Sequence, residues 1–188
     1  PKDLEASEIE VRLGATWLDK KYIEQFMYET FETPRYLRGQ IEISYVPYTA
    51  EWHVSRKSMV RYNDVAAFTT YGTDRASAYR LLEDALNLRD IRIYDTIEDA
   101  DGRERRVLNA KETTLAAQKQ QLIRDAFKDW IWKDPERRET LVRQYNEEMN
   151  STRPREYDGS HIVFSGMNPE ITLREHQKNA IAHVLYGG

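Results

Sequence analysis

The sequence predicts an α+β fold, and three observations carry that expectation. Two stretches alternate apolar and polar residues about a turn, as half-buried hairpins do. Stripes at helical spacing stand before, between and after those stretches. The last third of the chain carries mainly helical signals, so two antiparallel hairpins interleave with helices and a helical C-terminal third follows.

Residues 1–16 are rich in charge and poor in apolar residues, and read as a partly ordered lead-in. Asp19 is placed to cap a helix whose apolar positions are Tyr22, Ile23, Phe26, Met27 and Phe31, closed by Thr33-Pro34. Ile41, Ile43 and Tyr45, then Trp52 and Val54, alternate across the loop VPYTAE as a first hairpin. VAAFTTYGT reads as a third strand ending at Gly72. Asp74 is placed to cap a helix with the stripe Ala78, Leu81, Leu82, Ala85 and Leu86, stopped at Asn87. IRIYDTIEDADGRERRVLN alternates around Asp101-Gly102, two residues that tolerate positive φ, and gives the second hairpin.

From Lys111 the pattern is helical, with Leu115, Leu122, Ile123, Phe127, Trp130 and Ile131 on one face. Trp130 and Trp132 flank Ile131, so one is expected in the core and the other at the surface. Asp134, Pro135 and Glu136 restart the helix: a carboxylate for the orphan N–H groups, a ring whose missing donor costs nothing there, and a negative charge at the positive end of the dipole. Leu141, Val142, Tyr145 and Met149 form its stripe. A polar connector from Asn150 to Ser160 and the short run HIVFSGM precede a last helix with the stripe Ala180, Ile181, Val184 and Leu185. The expected divisions are a lead-in over 1–16, an α+β body over 17–110, a helical pair over 111–150 and a connector with its terminal helix over 151–188.

Bulk composition excludes several classes. Of 188 residues, 40% are hydrophobic and 32% charged, with a formal charge of -4, so the chain is not one that coats nucleic acid through a basic surface. The absence of cysteine excludes disulfides and thiolate chemistry and fits a reducing cytoplasm. No stretch reaches the roughly 20 apolar residues that cross a bilayer, so no membrane partner is expected.

Catalytic signals are thin, and no catalytic residue or metal site is assigned. His53, His161, His176 and His183 suggest no ligand set; His176 and His183 share a helix face but lack a third ligand. Glu98, Asp99 and Asp101 cluster at a hairpin tip, where a solvated turn outweighs a magnesium-dependent nuclease site. Neither a nucleophile elbow nor a Gly-rich phosphate loop is present. Tyr45, Tyr48, Tyr62 and Tyr71 offer a base-stacking platform, weighed against simple suitability for a pleated surface. Arg137, Arg138, Arg143, Arg153 and Arg155 are concentrated enough to meet DNA phosphates. Asp134, Glu136, Glu139 and Glu147 among them weigh toward a salt-bridged helical face instead. Gln177 follows Leu173 by one turn, and its amide has the donor and acceptor that adenine N7 and N6 require; an arbitrary exposed glutamine is the plain alternative.

The segment LREHQKNAIAHVLYGG resembles the element that precedes the phosphate-binding loop in superfamily-two helicases and Snf-type DNA translocases. An amphipathic run that stops at two glycines reads as the entrance to a longer polypeptide. More broadly, VRLGATWL, YIEQFMYE, YGTDRASAYRLLEDALNLRDIRIYD and WIWKDPERRETLVRQYNEEMNSTRPREYDGSHIVFSGMNPEITLREHQ resemble the region upstream of the helicase core in large bacterial fusion proteins. Those proteins join an adenine-specific DNA methyltransferase to a Snf-type helicase and are associated with mobile elements. The resemblance implies a non-catalytic linking domain, with 151–188 leading into the motor lobe, Gln177 reading the adenine of ATP and Arg174 supporting that segment. It implies no cofactor for these residues themselves, ATP and magnesium for the parent protein, and DNA and the adjoining domains as partners. A protein-interaction module without DNA contact is the alternative.

Overall fold

The computed structural model describes residues 2–151, 160 and 173–186, except for the side chains of His183 and Tyr186. The fold is α+β. Its described elements are α1 (Lys20–Thr30), β1 (Ile43–Val46), β2 (Glu51–Val54), α2 (Ala78–Leu86), β3 (Tyr94–Glu98), β4 (Glu104–Leu108), α3 (Ala110–Ile131), α4 (Pro135–Glu148) and α5 (Glu175–Tyr186). The chain forms two compact units, one of Glu5–Val142 and one of Pro1–Leu4 with Arg143–Gly188.

In the larger unit, α1 and α2 each pack on α3, with β1 against α1 and β2 against α2. Asp19 caps α1, its carboxylate accepting from the Lys21 N–H at 2.9 Å. Ile23, Phe26 and Met27 then lie inward. Phe26 meets Phe127 of α3 edge to face at 5.2 Å, and Phe31 meets Tyr79 of α2 in the same way at 5.2 Å. Buried Tyr79 shares a 2.7 Å hydrogen bond with the Thr33 hydroxyl, which leaves neither hydroxyl orphaned. Residues 5–16 contribute Ile9, Val11 and Leu13 to this core, at alternate positions.

Both hairpins form. β1 and β2 pair antiparallel with Ile43 opposite Val54 and Tyr45 opposite Trp52. β3 and β4 pair with Tyr94 opposite Leu108 and Glu98 opposite Glu104. Residues 99–103 join them, and Gly102 there is at φ +74, a conformation glycine adopts without strain. Ile91 and Ile93 are buried just before β3, so this ribbon is rooted in the core by the residues that lead into it.

Four expectations are corrected. VAAFTTYGT is not a strand: Ala66–Thr70 is a π-helix, with Tyr71 N–H donating to the Ala66 carbonyl and Asp64 capping the Ala67 N–H at 2.8 Å. Gly72 ends it where a Cβ would lie 2.0 Å from the Ala67 carbonyl oxygen, so only glycine closes this turn. Ser77, not Asp74, caps α2, because residues 73–76 first close a tight turn through reciprocal Thr73 and Ala76 backbone bonds. The inward face of α3 is Ala116, Gln120, Ile123, Phe127 and Ile131, whereas Leu115 and Leu122 remain 41% and 44% exposed. Ala116 permits close approach, and Gln120 is buried because its amide accepts from Ile91 N–H and donates to the carbonyls of Leu81 and Arg89. Finally, Trp130 and Trp132 are both half-buried instead of dividing between core and surface.

In the smaller unit, Asn146 of α4 clamps the backbone of Leu4, accepting from its N–H at 2.8 Å and donating to its carbonyl at 2.9 Å. Ala182 is buried on α5, but Ala180 is exposed, Ile181 is half-buried, and Val184 and Leu185 are 78% and 60% exposed. The expected apolar stripe is therefore not covered.

Candidate functional site

The arginines do not behave as a set. Asp134 caps α4, its carboxylate accepting from the Arg137 N–H at 2.7 Å. That geometry turns the Arg137 side chain back onto the end of α3. Its guanidinium donates to the carbonyls of Ile131, at 3.0 Å, and of Trp130, and lies 3.6 Å from the Trp130 ring centroid. Arg137 is only 9% exposed, and desolvation holds its pKa below the ordinary arginine value. It is a helix clasp and has no free face for a phosphate. Glu29 completes the clasp by accepting from Trp130 Nε1 at 2.6 Å.

Arg138 and Arg143 are exposed, five positions apart and hence about 140° apart around α4, so they make no common face. Arg153 and Arg155 lie outside the described residues.

The first turn of α5 presents the other candidates. Arg174 stands at the N-cap, and its N–H donates to Gln177 Oε1 at 2.9 Å while its carbonyl accepts from the Gln177 and Lys178 N–H groups. The glutamine thus makes half of a capping box. Both side chains are exposed. An amide oxygen has two lone pairs, so Oε1 can keep the cap and still accept from a second donor, while Nε2 donates elsewhere.

The remaining candidates resolve into local roles. Asp99 accepts from the N–H groups of Asp101 and Arg103 at 3.0 and 2.9 Å, which is a turn organising its own backbone. Among the described residues no group of three histidine or acidic side chains is arranged to hold a metal. His53 is exposed beside Glu51 at 3.6 Å, His176 is exposed, and His161 and the His183 side chain lie outside the described residues. Tyr45 packs on Trp52, Tyr71 on Phe31 and Tyr62, though 73% exposed, on Phe68, whereas Tyr48 is 98% exposed. Three of the four tyrosines therefore have a ring partner within the fold.

A family described as a domain of unknown function, DUF8437, matches residues 12–151, well over half of the chain. The chain belongs to the DUF8437 family. No curated protein and no solved structure matches it. The DUF8437 match spans the packed elements from α1 to α4 and ends before Arg174 and Gln177. Arg137 and Arg138 are identical neighbours, so residue type alone does not single out the clasp; the one signal in the sequence is Trp130, seven residues before Arg137 at the end of a predicted helix.

Proposed function

We propose that this chain is a non-catalytic linking domain of a DNA-modifying and DNA-translocating polypeptide. In this reading the DUF8437 body sets the position of a methyltransferase region relative to a Snf-type motor. Arg138 and Arg143 meet DNA phosphates, and Gln177, with Arg174 holding its turn, reads the adenine of ATP. ATP and magnesium belong to the parent protein, whose mobile-element setting and cytoplasmic location go with the same reading. The observation that carries it is the exposed Gln177 amide, steadied by the Arg174 N–H yet left with a lone pair and two N–H donors. Among the described residues no helix is long and apolar enough to cross a membrane.

The direct test is to read the coding frame beyond Gly188. A Gly-Lys-Thr loop shortly downstream, followed by an Asp-Glu box, supports the reading; a stop codon overturns it. Purified by itself, the 188-residue chain is expected neither to hydrolyse ATP nor to methylate DNA, and turnover that persists through stringent purification contradicts a linking role.

A second reading is a protein-interaction module without DNA contact. The exposed Val184 and Leu185 on α5 favour it, because apolar side chains that far into water suit a protein partner. DNA affinity that does not respond to salt or to charge reversal of Arg138 and Arg143 would select it.

A further inference from the structure

A cavity of about 360 Å³ lies in the larger unit, walled by the 10–13 segment, the end of α2 and one face of α3. Arg12, Arg124 and Lys128 line it together with Leu13, Leu88 and a single carboxylate, Glu10. Three cations against one anion stand out on a chain whose formal charge is -4. Arg12 and Lys128 form no ion pair among the described residues, and Arg124 meets only the exposed Asp90, at 3.3 Å.

Two backbone features build the site. Gly14, at φ +89, sits where a Cβ would lie 2.4 Å from the Leu86 carbonyl oxygen, so glycine is what lets the 10–13 segment close on the end of α2. Leu88 stands just past that end at φ +57, where Leu88 and Arg89 N–H groups close onto the carbonyls of Ala85 and Asp84. Glycine is the residue this position favours. Among the described non-glycine residues at positive φ, Leu88 is the one large apolar side chain, and it is 65% exposed at the cavity. A strained leucine held in water beside three cations has no role in the core.

We propose that this cavity binds a phosphate group carried on an apolar or planar body. Phosphate has the charge and the oxygens to engage two guanidinium forks and an ammonium together, where a single carboxylate would not. Leu13 and Leu88 then meet the attached group. The phosphate comes either from a free nucleotide or from the backbone of a DNA strand. The site is independent of Gln177, Arg138 and Arg143.

Calorimetric titration of the full chain with thymidine monophosphate, thymidine and a short oligothymidylate tests this. A phosphate-bearing probe binds and thymidine does not. The double substitution Arg12→Ala, Lys128→Ala weakens binding by about tenfold or more. Both side chains are exposed, so melting confirms that the fold is retained. Leu88→Gly weakens binding severalfold while raising Tm by about 2–4 °C. Charge reversal at Arg138 and Arg143 leaves monophosphate binding unchanged. An oligothymidylate that binds far more tightly than the monophosphate, and loses that advantage in the double variant, identifies DNA as the source. Comparable affinities identify a free nucleotide. Failure of both phosphate probes at millimolar concentration, or binding untouched by the double variant, overturns the site.

Discussion

The β1–β2 hairpin is flanked by helices whose side chains bond to both of its outer edges, whereas the β3–β4 ribbon stands in water beyond its base. On the first, Asn87 of the α2 cap accepts from Trp52 N–H at 2.8 Å and donates to its carbonyl at 2.9 Å, imitating a third strand. Glu83 takes the Val54 N–H at 2.8 Å and a 2.7 Å ion pair from Lys57, and Glu24 of α1 takes the Ile43 N–H on the opposite edge. On the second, every residue of β4 is exposed, and the anchors are confined to the root: Arg75 on Asp95 and the Tyr94 carbonyl, and Thr113 on Ile93. Pairing and period are alike in the two hairpins. What differs is that one face of the first is buried and that helix side chains finish part of its unpaired backbone, and those two differences set how each hairpin responds to change.

Trp52→Ala gives the largest expected contrast. Trp52 is 4% exposed, and its removal destabilises by about 3–5 kcal/mol in chemical denaturation. Asn87→Ala comes next: it leaves the Trp52 N–H and C=O without partners, at about 1–3 kcal/mol. Ile97→Ala, on the ribbon, stays within about 0.5 kcal/mol. A loss at Ile97 comparable to that at Trp52 would mean the ribbon is covered in solution.

The smallest effect follows pH. Hydrogen bonds from Arg75 and then Asn109 hold the Asp95 carboxyl below its ordinary value of 3.8. A depressed carboxylate lends its stabilisation above the unfolded pKa and loses it as pH falls through the folded one. NMR shifts at the ribbon root should therefore move during acid titration below about pH 4 and be abolished by Asp95→Asn, while the Asn87 contacts stay unmoved.

Much of the body was legible because local signals agreed with packing there. The Asp19 cap with Ile23, Phe26 and Met27, the Asp-Gly turn and the Asp134-Pro135 start each depend on nearby residues alone. The misreadings share a physical cause. The π-helix at Ala66–Thr70 depends on closure at Gly72 against α2, which no local pattern contains. Leu115 and Leu122 outrank Ala116 and Gln120 in hydrophobicity, yet close approach and a satisfied amide turned the other face of α3 inward. The alternation of Ile9, Val11 and Leu13 was present to be read as an extended, half-buried segment. At the candidate site, Arg137 and Arg138 are indistinguishable in sequence, and only the clasp on Trp130 separates a packed cation from a free one.

That separation makes DNA binding the sharpest test, because it names which arginines are free to meet phosphate. Measured across salt, the slope of log affinity against log salt should fall in magnitude by about 2 when Arg138 and Arg143 are both reversed to glutamate, since each phosphate contact contributes about 0.9. A slope unchanged by the double reversal, or affinity indifferent to salt, would contradict DNA contact through α4.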